Sequence, residues 1–383
     1  MDADTVLKLI KTERLEKLAS IYQVDKRNTK IIGALVFKSL LRSILLNRGT
    51  SLRSLQMLIE SSEDLKSLLH TNNESKKTLC YSTISKRLSS MPLEYFQAIY
   101  QDLVEDHDGW MAPKQKVNLH RFDSTIMTLV GHAVKDGLNL GSYHKNNTPN
   151  CQVKITVGLT NTMPTSVRFC TKQEEASEDI ALVRAINEAK IESEDILLFD
   201  RGISNSHTFS DFTQRSYRFV TRLKVGRKIH IISENTVSGD LIKKDCIVNL
   251  FGKKEKQIST SLRLIILQQP TGQEIWFLTN IQDSSASEIA EMYKRRWDIE
   301  VFFKFLKQHL QLKHFISYSL HGMTIYIYMV LIAALLFLIY RTSNNLSGFK
   351  IPLLKFVLQL EQSIAFDLLT CSSIPREQRR GQT

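Results

Sequence analysis

Three carboxylates stand beside apolar runs. Asp123 follows the run Lys116 to Phe122, Asp200 follows Ile196-Leu197-Leu198-Phe199, and Glu300 lies within Tyr293 to Lys307, YKRRWDIEVFFKFLK. The first two runs read as strands. Carboxylates at strand ends stand at the carboxyl edge of a sheet, the usual mouth of an α/β site. Hard oxygen donors of this type hold Mg²⁺ or Mn²⁺, and such ions neutralise a phosphodiester during in-line displacement. Taken singly, each Asp reads equally well as a turn residue.

Glu300 belongs to a helical pattern. At about 100° per residue, Arg296, Glu300, Lys304 and Lys307 fall within roughly 60° of Tyr293. Ile299, Phe302, Phe303, Phe305, Leu306 and Leu310 take the opposite side, and Trp297 sits at the edge of the polar stripe, where it reads as packing beside the site. Arg295 and Asp298 interrupt the apolar arc, so they snorkel or lie at its margins. The apolar back seats the helix on a sheet. The front carries one carboxylate among cations and aromatics, which suits a metal ligand beside a phosphate-gripping surface. Periodicity alone favours a solvated charged face; the two distant aspartates weigh against it.

The chain as a whole is basic, with net charge +12 and pI near 9.4 over 383 residues. The cations are spread along its length, which favours nucleic acid over a membrane surface as partner. Non-catalytic nucleic-acid binders share this charge. The five cysteines have no CxxC spacing, so neither a zinc site nor a disulfide framework is expected. The first residues form a charged amphipathic pattern rather than a signal peptide. Gly322 to Tyr340 carries no charge over 19 residues, enough to span a bilayer. It stands alone, and His321 and Arg341 at its edges form no basic anchor cluster. A helix buried on all sides of a large α/β core is the reading preferred.

The elements that must position these residues follow from patterning. Residues 1–112 read as a helical DNA-binding region, with helices over 5–22, 31–47, 51–69 and 93–104. Ser82 to Leu88 resembles the recognition helix of a helix-turn-helix and reads equally as a bundle helix. Residues 113–223 alternate strands and helices as the first part of an α/β core. Short β runs over 224–283 make a β-rich insertion with basic loops. Residues 284–345 return to helix, capped at Ser284 or Ser285, and 346–383 hold a last amphipathic helix and a polar tail, Arg376 to Thr383, expected to be disordered.

The spacing Tyr293-x2-Arg296-x3-Glu300-x6-Lys307 resembles the Y-R-E-K signature of bacterial insertion-sequence transposases of family four, the DDE cut-and-paste class. Phe122-Asp123-Ser124-Thr125 and Phe199-Asp200-Arg201-Gly202 are similar to the blocks around that family's two catalytic aspartates. The resemblance covers about 115–340. It implies an RNase H-like core of mixed sheet flanked by helices, with the β-rich insertion between the second Asp and the Glu. It further implies that Asp123, Asp200 and Glu300 bind two Mg²⁺ (Mn²⁺ able to substitute), and that Tyr293, Arg296 and Lys307 grip phosphates of the transposon end, with Lys304 adding charge. Arg222 resembles an Arg that holds the phosphate of a displaced base. Trp276 resembles the Trp on which that base stacks in hairpin-forming members, although a core role in the β region fits it equally. Stacking of this kind is worth on the order of 1–3 kcal/mol.

The resulting expectation is a DNA transposase that hydrolyses the transposon ends and then transfers the freed 3′-hydroxyl. Its partners would be double-stranded DNA (the terminal inverted repeats and the target) and a second copy of the chain on that DNA. It would work in the bacterial cytoplasm at the nucleoid, with no membrane. Three alternatives stay open: an inactive or domesticated transposase acting as a DNA-binding protein, a structure-specific metal-dependent nuclease, and a protein anchored in a membrane by 322–340.

Overall fold

The computed structural model describes residues 1–26, 31–46, 51–69, 79–108, 117–128, 138, 152–237, 241–252, 256–317 and 319–372. The boundary expected between 112 and 113 and the Arg376-to-Thr383 tail lie outside the described residues. The chain divides into two compact units, Met1–Trp110 with Phe305–Thr383, and Met111–Lys304.

The first unit is helical. It begins with α1 (Ala3–Leu7), α2 (Thr12–Ile21), α3 (Gly33–Leu46), α4 (Leu52–Ser61), α5 (Glu63–Ser67), α6 (Tyr81–Ser90) and α7 (Leu93–Asp108). The single helix expected over 5–22 is two, because Lys11 is extended (ψ 136°) and starts α2 afresh. The helix expected over 51–69 divides likewise at Ser62 (ψ 116°). Ser51 starts α4 through a reciprocal capping box with Ser54.

The second unit is a three-layer α/β structure. Its elements are β1 (Leu119–Thr128), β2 (Gln152–Thr160), β3 (Met163–Cys170), α8 (Glu178–Glu188), β4 (Ile196–Phe199), α9 (Ser206–Gln214), β5 (Arg218–Leu223), β6 (Ile229–Glu234), β7 (Ile242–Phe251), β8 (Gln257–Gln268), β9 (Glu274–Thr279), α10 (Ala286–Lys294) and the start of α11 (Trp297–His309). The strands form one nine-stranded sheet in the order β3-β2-β1-β4-β5-β9-β8-β7-β6. Only β1–β4 and β4–β5 are parallel; the other pairs are antiparallel. The strands of the 224–283 stretch therefore continue the same sheet through β9.

One face of the sheet buries Phe122, Leu197, Phe199 and Phe219 with Leu182 and Ile186 of α8 and Phe209 and Phe212 of α9. The other buries Ile196, Leu198, Val220 and Phe277 with Ile289 and Tyr293 of α10. Alternating residues of β4 go to opposite faces, as the two-residue period of a strand requires. A strand buried on both faces has no polar positions to spare, hence the continuous apolar run before Asp200.

Two expectations are corrected here. Asp123 does not end its strand: β1 runs on to Thr128, paired with β2. The parallel pairing of β1 with β4 does stop at Arg121–Leu198, so Asp123 stands just past the carboxyl end of the parallel pair. The helix expected from Ser285 onward is two helices. Ser285 caps α10 in a capping box with Glu288, and the chain then tightens at Arg295-Arg296. There the N–H groups of Asp298 and Ile299 bond three residues back, to the carbonyls of Arg295 and Arg296. Such i-to-i+3 bonds overwind the chain and shift the stripe's phase.

The helical unit is completed by α12 (Leu320–Ser343) and α13 (Lys350–Ser372). Among the described residues α12 is the one helix long and apolar enough to cross a membrane, and its apolar window is wholly buried inside the structure. It packs on α3 and α7, so the expected all-round burial is met inside a helical bundle and not inside the α/β core. Truncating its centre leaves a cavity with little scope for collapse. Leu335→Ala should cost about 2–5 kcal/mol of unfolding free energy, read by urea denaturation.

Candidate active site

Asp123 and Asp200 are brought to one edge by adjacent parallel strands. Each carboxylate is aimed by a nearby backbone N–H. Ser124 N donates to Asp123 Oδ1 at 2.8 Å, and Gly202 N donates to Asp200 Oδ1 at 2.8 Å. Thr221 of β5 donates its hydroxyl to Asp200 O at 2.9 Å, fixing the turn after β4.

Glu300 arrives from α11, which is tied to β1 by a buried arginine. Arg121 is 1% exposed. Its Nε donates to Arg295 O at 2.6 Å and its Nη2 pairs with Asp298 at 3.2 Å. Its Nη1 donates to Leu119 O at 3.2 Å and to Asn161 O. Burial lowers its pKa to about 10, and the charge of Asp298 works the other way. Sequence reasoning passed over Arg121, since it reads as one more cation in a basic chain. Asp298, expected at the margin of the apolar arc, is in fact its partner.

Arg296 connects the carboxylates. It forms an ion pair with Glu300 and approaches Asp123 at 4.0 Å. Asp123 is pushed up to about 6 by burial first and then by the charges of Asp200 and Glu178; the Ser124 N–H and Arg296 oppose the shift. Glu178, another residue the sequence reading missed, sits beside Ser124 and Lys154. Nothing in its local sequence marks it, because its place depends on how α8 docks.

Tyr293 is buried, with its ring 4.9 Å from that of Phe277 and under the Arg296 guanidinium at 5.6 Å. Burial raises its pKa to about 12. Tyr293 Oη, Arg296 Nε and Arg222 Nε are all buried and lack a partner in hydrogen-bond geometry. Arg222 and Trp276 lie on the neighbouring strands β5 and β9, where Arg222 pairs with Phe277 and Leu223 with Trp276. The Trp276 ring packs against the core, and its Nε1 donates to Glu274 at 2.9 Å. Lys304 is exposed one turn beyond Glu300. Lys307 lies further along α11, in the other compact unit. Trp297 is 60% exposed, contrary to the packing role expected of it.

The donor set suits a hard divalent cation: Asp123, Asp200 and Glu300 offer carboxylate oxygens, and Asp123, raised chiefly by burial and in lesser part by the charges of Asp200 and Glu178, is a carboxylate that a nearby cation would stabilise. Among the described residues, however, no three His, Cys, Asp or Glu side chains lie close enough to share one ion. Arg296 supplies the positive charge between Asp123 and Glu300.

A family model described as a transposase DDE domain matches residues 121–336, which include all three carboxylates. A protein of Sinorhizobium fredii named as a transposase is 26% identical over 171 residues, 43% of this chain and 47% of that one. A protein of Geobacillus stearothermophilus, named as a transposase for an insertion sequence element, is 27% identical over 128 residues, 33% of this chain and 34% of its own. One of Synechocystis, similarly named, is 45% identical over 56 residues, 15% of this chain and 17% of its own. The chain thus spans less than half the length of the curated relatives it matches.

The Asp123 environment generates a signed prediction. A carboxyl at about 6 in the folded chain and 3.8 unfolded costs stability above pH 6, and that cost vanishes as pH falls to 4. Asp123→Asn should therefore raise unfolding free energy by about 1–3 kcal/mol at pH 7. The gain should fade between pH 6 and 4, as followed by urea titrations across that range.

Proposed function

The chain belongs to the transposase DDE-domain family, and from that premise we propose that it is the DNA transposase of an insertion sequence of family four. Tyr293, Arg296, Glu300 and Lys307 are its signature. It moves DNA by cut and paste, with Asp123, Asp200 and Glu300 holding Mg²⁺ or Mn²⁺. The observation that carries this reading is the group of buried, unpartnered donors beside the carboxylates: Tyr293 Oη, Arg296 Nε and Arg222 Nε. Buried polar groups are normally satisfied, and three donors left open in one place are matched by an anion rich in oxygens, such as a DNA phosphate.

When bound, the divalent cations supply Lewis-acid stabilisation of the phosphodiester and activation of water and of the 3′-hydroxyl. The chain's own residues bind and orient. Arg296 exchanges Glu300 for the phosphate, which frees the carboxylate to close on the site. Tyr293 and Arg222 donate to phosphate oxygens, while Lys304 and Lys307 extend the contact along the backbone. Trp276 receives a displaced base only if its indole leaves Glu274. Water adds to phosphorus as the bond to the 3′-oxygen breaks, and that oxygen takes the proton. The resulting 3′-hydroxyl then attacks a phosphorus of the opposite strand or the target, losing its proton as the new P–O bond forms, while the bond to that phosphodiester's own 3′-oxygen breaks and the expelled oxygen takes up a proton.

The domain reading that goes with this has a helical DNA-binding region at 1–112, an RNase H-like core at 113–223 and 284–345 holding the β-rich insertion 224–283, and a C-terminal helix and tail at 346–383. Two copies act on paired ends in the bacterial cytoplasm at the nucleoid, with no membrane.

Glu300→Gln should abolish Mg²⁺-dependent cleavage of end DNA and leave binding to that DNA within about threefold, as read by gel assays on one labelled duplex. Retained cleavage would sink the assignment. Joining of the labelled end to a plasmid separates a transposase from a structure-specific nuclease. Lys304→Ala should weaken binding across sequences and lower the slope of affinity against salt by about one.

A further inference from the structure

Asp123 is flanked on one side by Arg296, whose part is given above. On its other side stands Glu178, the first residue of α8, whose side chain touches the neighbours of both aspartates. Its carboxylate pairs with Lys154 at 2.9 Å and accepts from Ser124 Oγ at 3.1 Å. Lys154 is buried and also donates to Ala176 O. Ser124 meets Thr156, its cross-strand partner on β2, at 2.9 Å. The stem of Glu178 lies against Gly202, where an added Cβ would come within 2.9 Å of Glu178 Cγ and 2.8 Å of Asp200 Oδ1.

The two contacted residues are the ones that aim the aspartates. Ser124 N holds Asp123 Oδ1, and Gly202 N holds Asp200 Oδ1, each at 2.8 Å. We propose that Glu178 is a positioning residue, clamping Ser124 and Gly202 together so that Asp123 and Asp200 stand at the spacing a shared cation needs. The inference rests on the proposal that these aspartates hold the metal. Both Glu178 oxygens are engaged, one by Lys154 and one by Ser124, and through these neighbours it acts on the aspartates. Lys154 balances the charge this clamp adds to an already acidic edge. The arrangement also accounts for glycine at 202, because any side chain would push Glu178 and the Asp200 carboxylate apart.

Mn²⁺ binding to the full chain, followed by electron paramagnetic resonance at pH 7, tests this with melting curves alongside. Loss of a residue that orients metal ligands typically weakens a site about 10–100-fold, and Glu178→Ala should lose at least about tenfold in Mn²⁺ affinity. Glu178→Gln should stay within about threefold, since Gln keeps the stem, can accept from Lys154 and can donate to Ser124. If the lone Lys154 unfolds the alanine variant, Glu178→Ala with Lys154→Met restores folding and keeps the weak binding. Wild-type affinity in either alanine variant overturns the proposal. Equal loss in the Gln and Ala variants also overturns it, because that pattern marks a direct ligand. Asp123→Asn separates the two layers: if it binds Mn²⁺ like the wild type, or if the wild type binds none, the metal-site reading itself fails.

Discussion

The α/β unit depends on one buried guanidinium. Arg121 gives its donors to two loop carbonyls, one strand carbonyl and Asp298, and through them fixes where the chain leaves α10 and enters α11. A charge this deeply buried is tolerable only when its donors are met, because an unpaired ion in a low-dielectric interior costs several kcal/mol. That constraint works in both directions. It holds Arg295 against β1, and so delivers Arg296 and Glu300 to the edge where β1 and β4 part company. A lysine could not replace it, since one ammonium cannot reach partners in several directions at once.

Around that anchor the site is organised by charge. Asp123 feels the charges of Asp200 and Glu178, Glu300 is linked to it through Arg296, and two cations answer these carboxylates. Lys154 neutralises Glu178 from within the sheet, whereas Arg296 reaches in from the turn before α11. The two are not alike in their surroundings. Lys154 is locked between a carbonyl and a carboxylate. Arg296 leaves its Nε unsatisfied beside Tyr293 Oη, an arrangement that costs free energy as it stands. An element held at that cost is suited to exchange partners when an anion arrives.

Much of this was legible along the chain because the signals are local. The apolar run before Asp200 is a strand buried on both faces, the Ser285–Glu288 spacing is a capping box, and Gly322 to Tyr340 is buried inside the structure. The Asp-Arg-Gly turn follows β4 directly. Misreadings arose where a neighbouring segment decides. The length of β1 is set by its antiparallel partner β2, which carries the strand past Asp123. The helix break at Arg295 answers to Arg121, 174 residues away.

The strand before Asp200, the Ser285 cap and the likeness to transposases that carry a DDE domain could be read along the chain, because periodicity and spacing within one segment carry that information. Tertiary structure alone decided which charges meet. Glu178 and Arg121 have no distinguishing local pattern, and their roles exist only once α8 packs against β1 and β2 and the turn at Arg295 closes over Arg121. The apposition of Arg296 with Asp123 is likewise a product of docking. Contacts between distant segments depend on packing and burial, and no spacing along the chain encodes either.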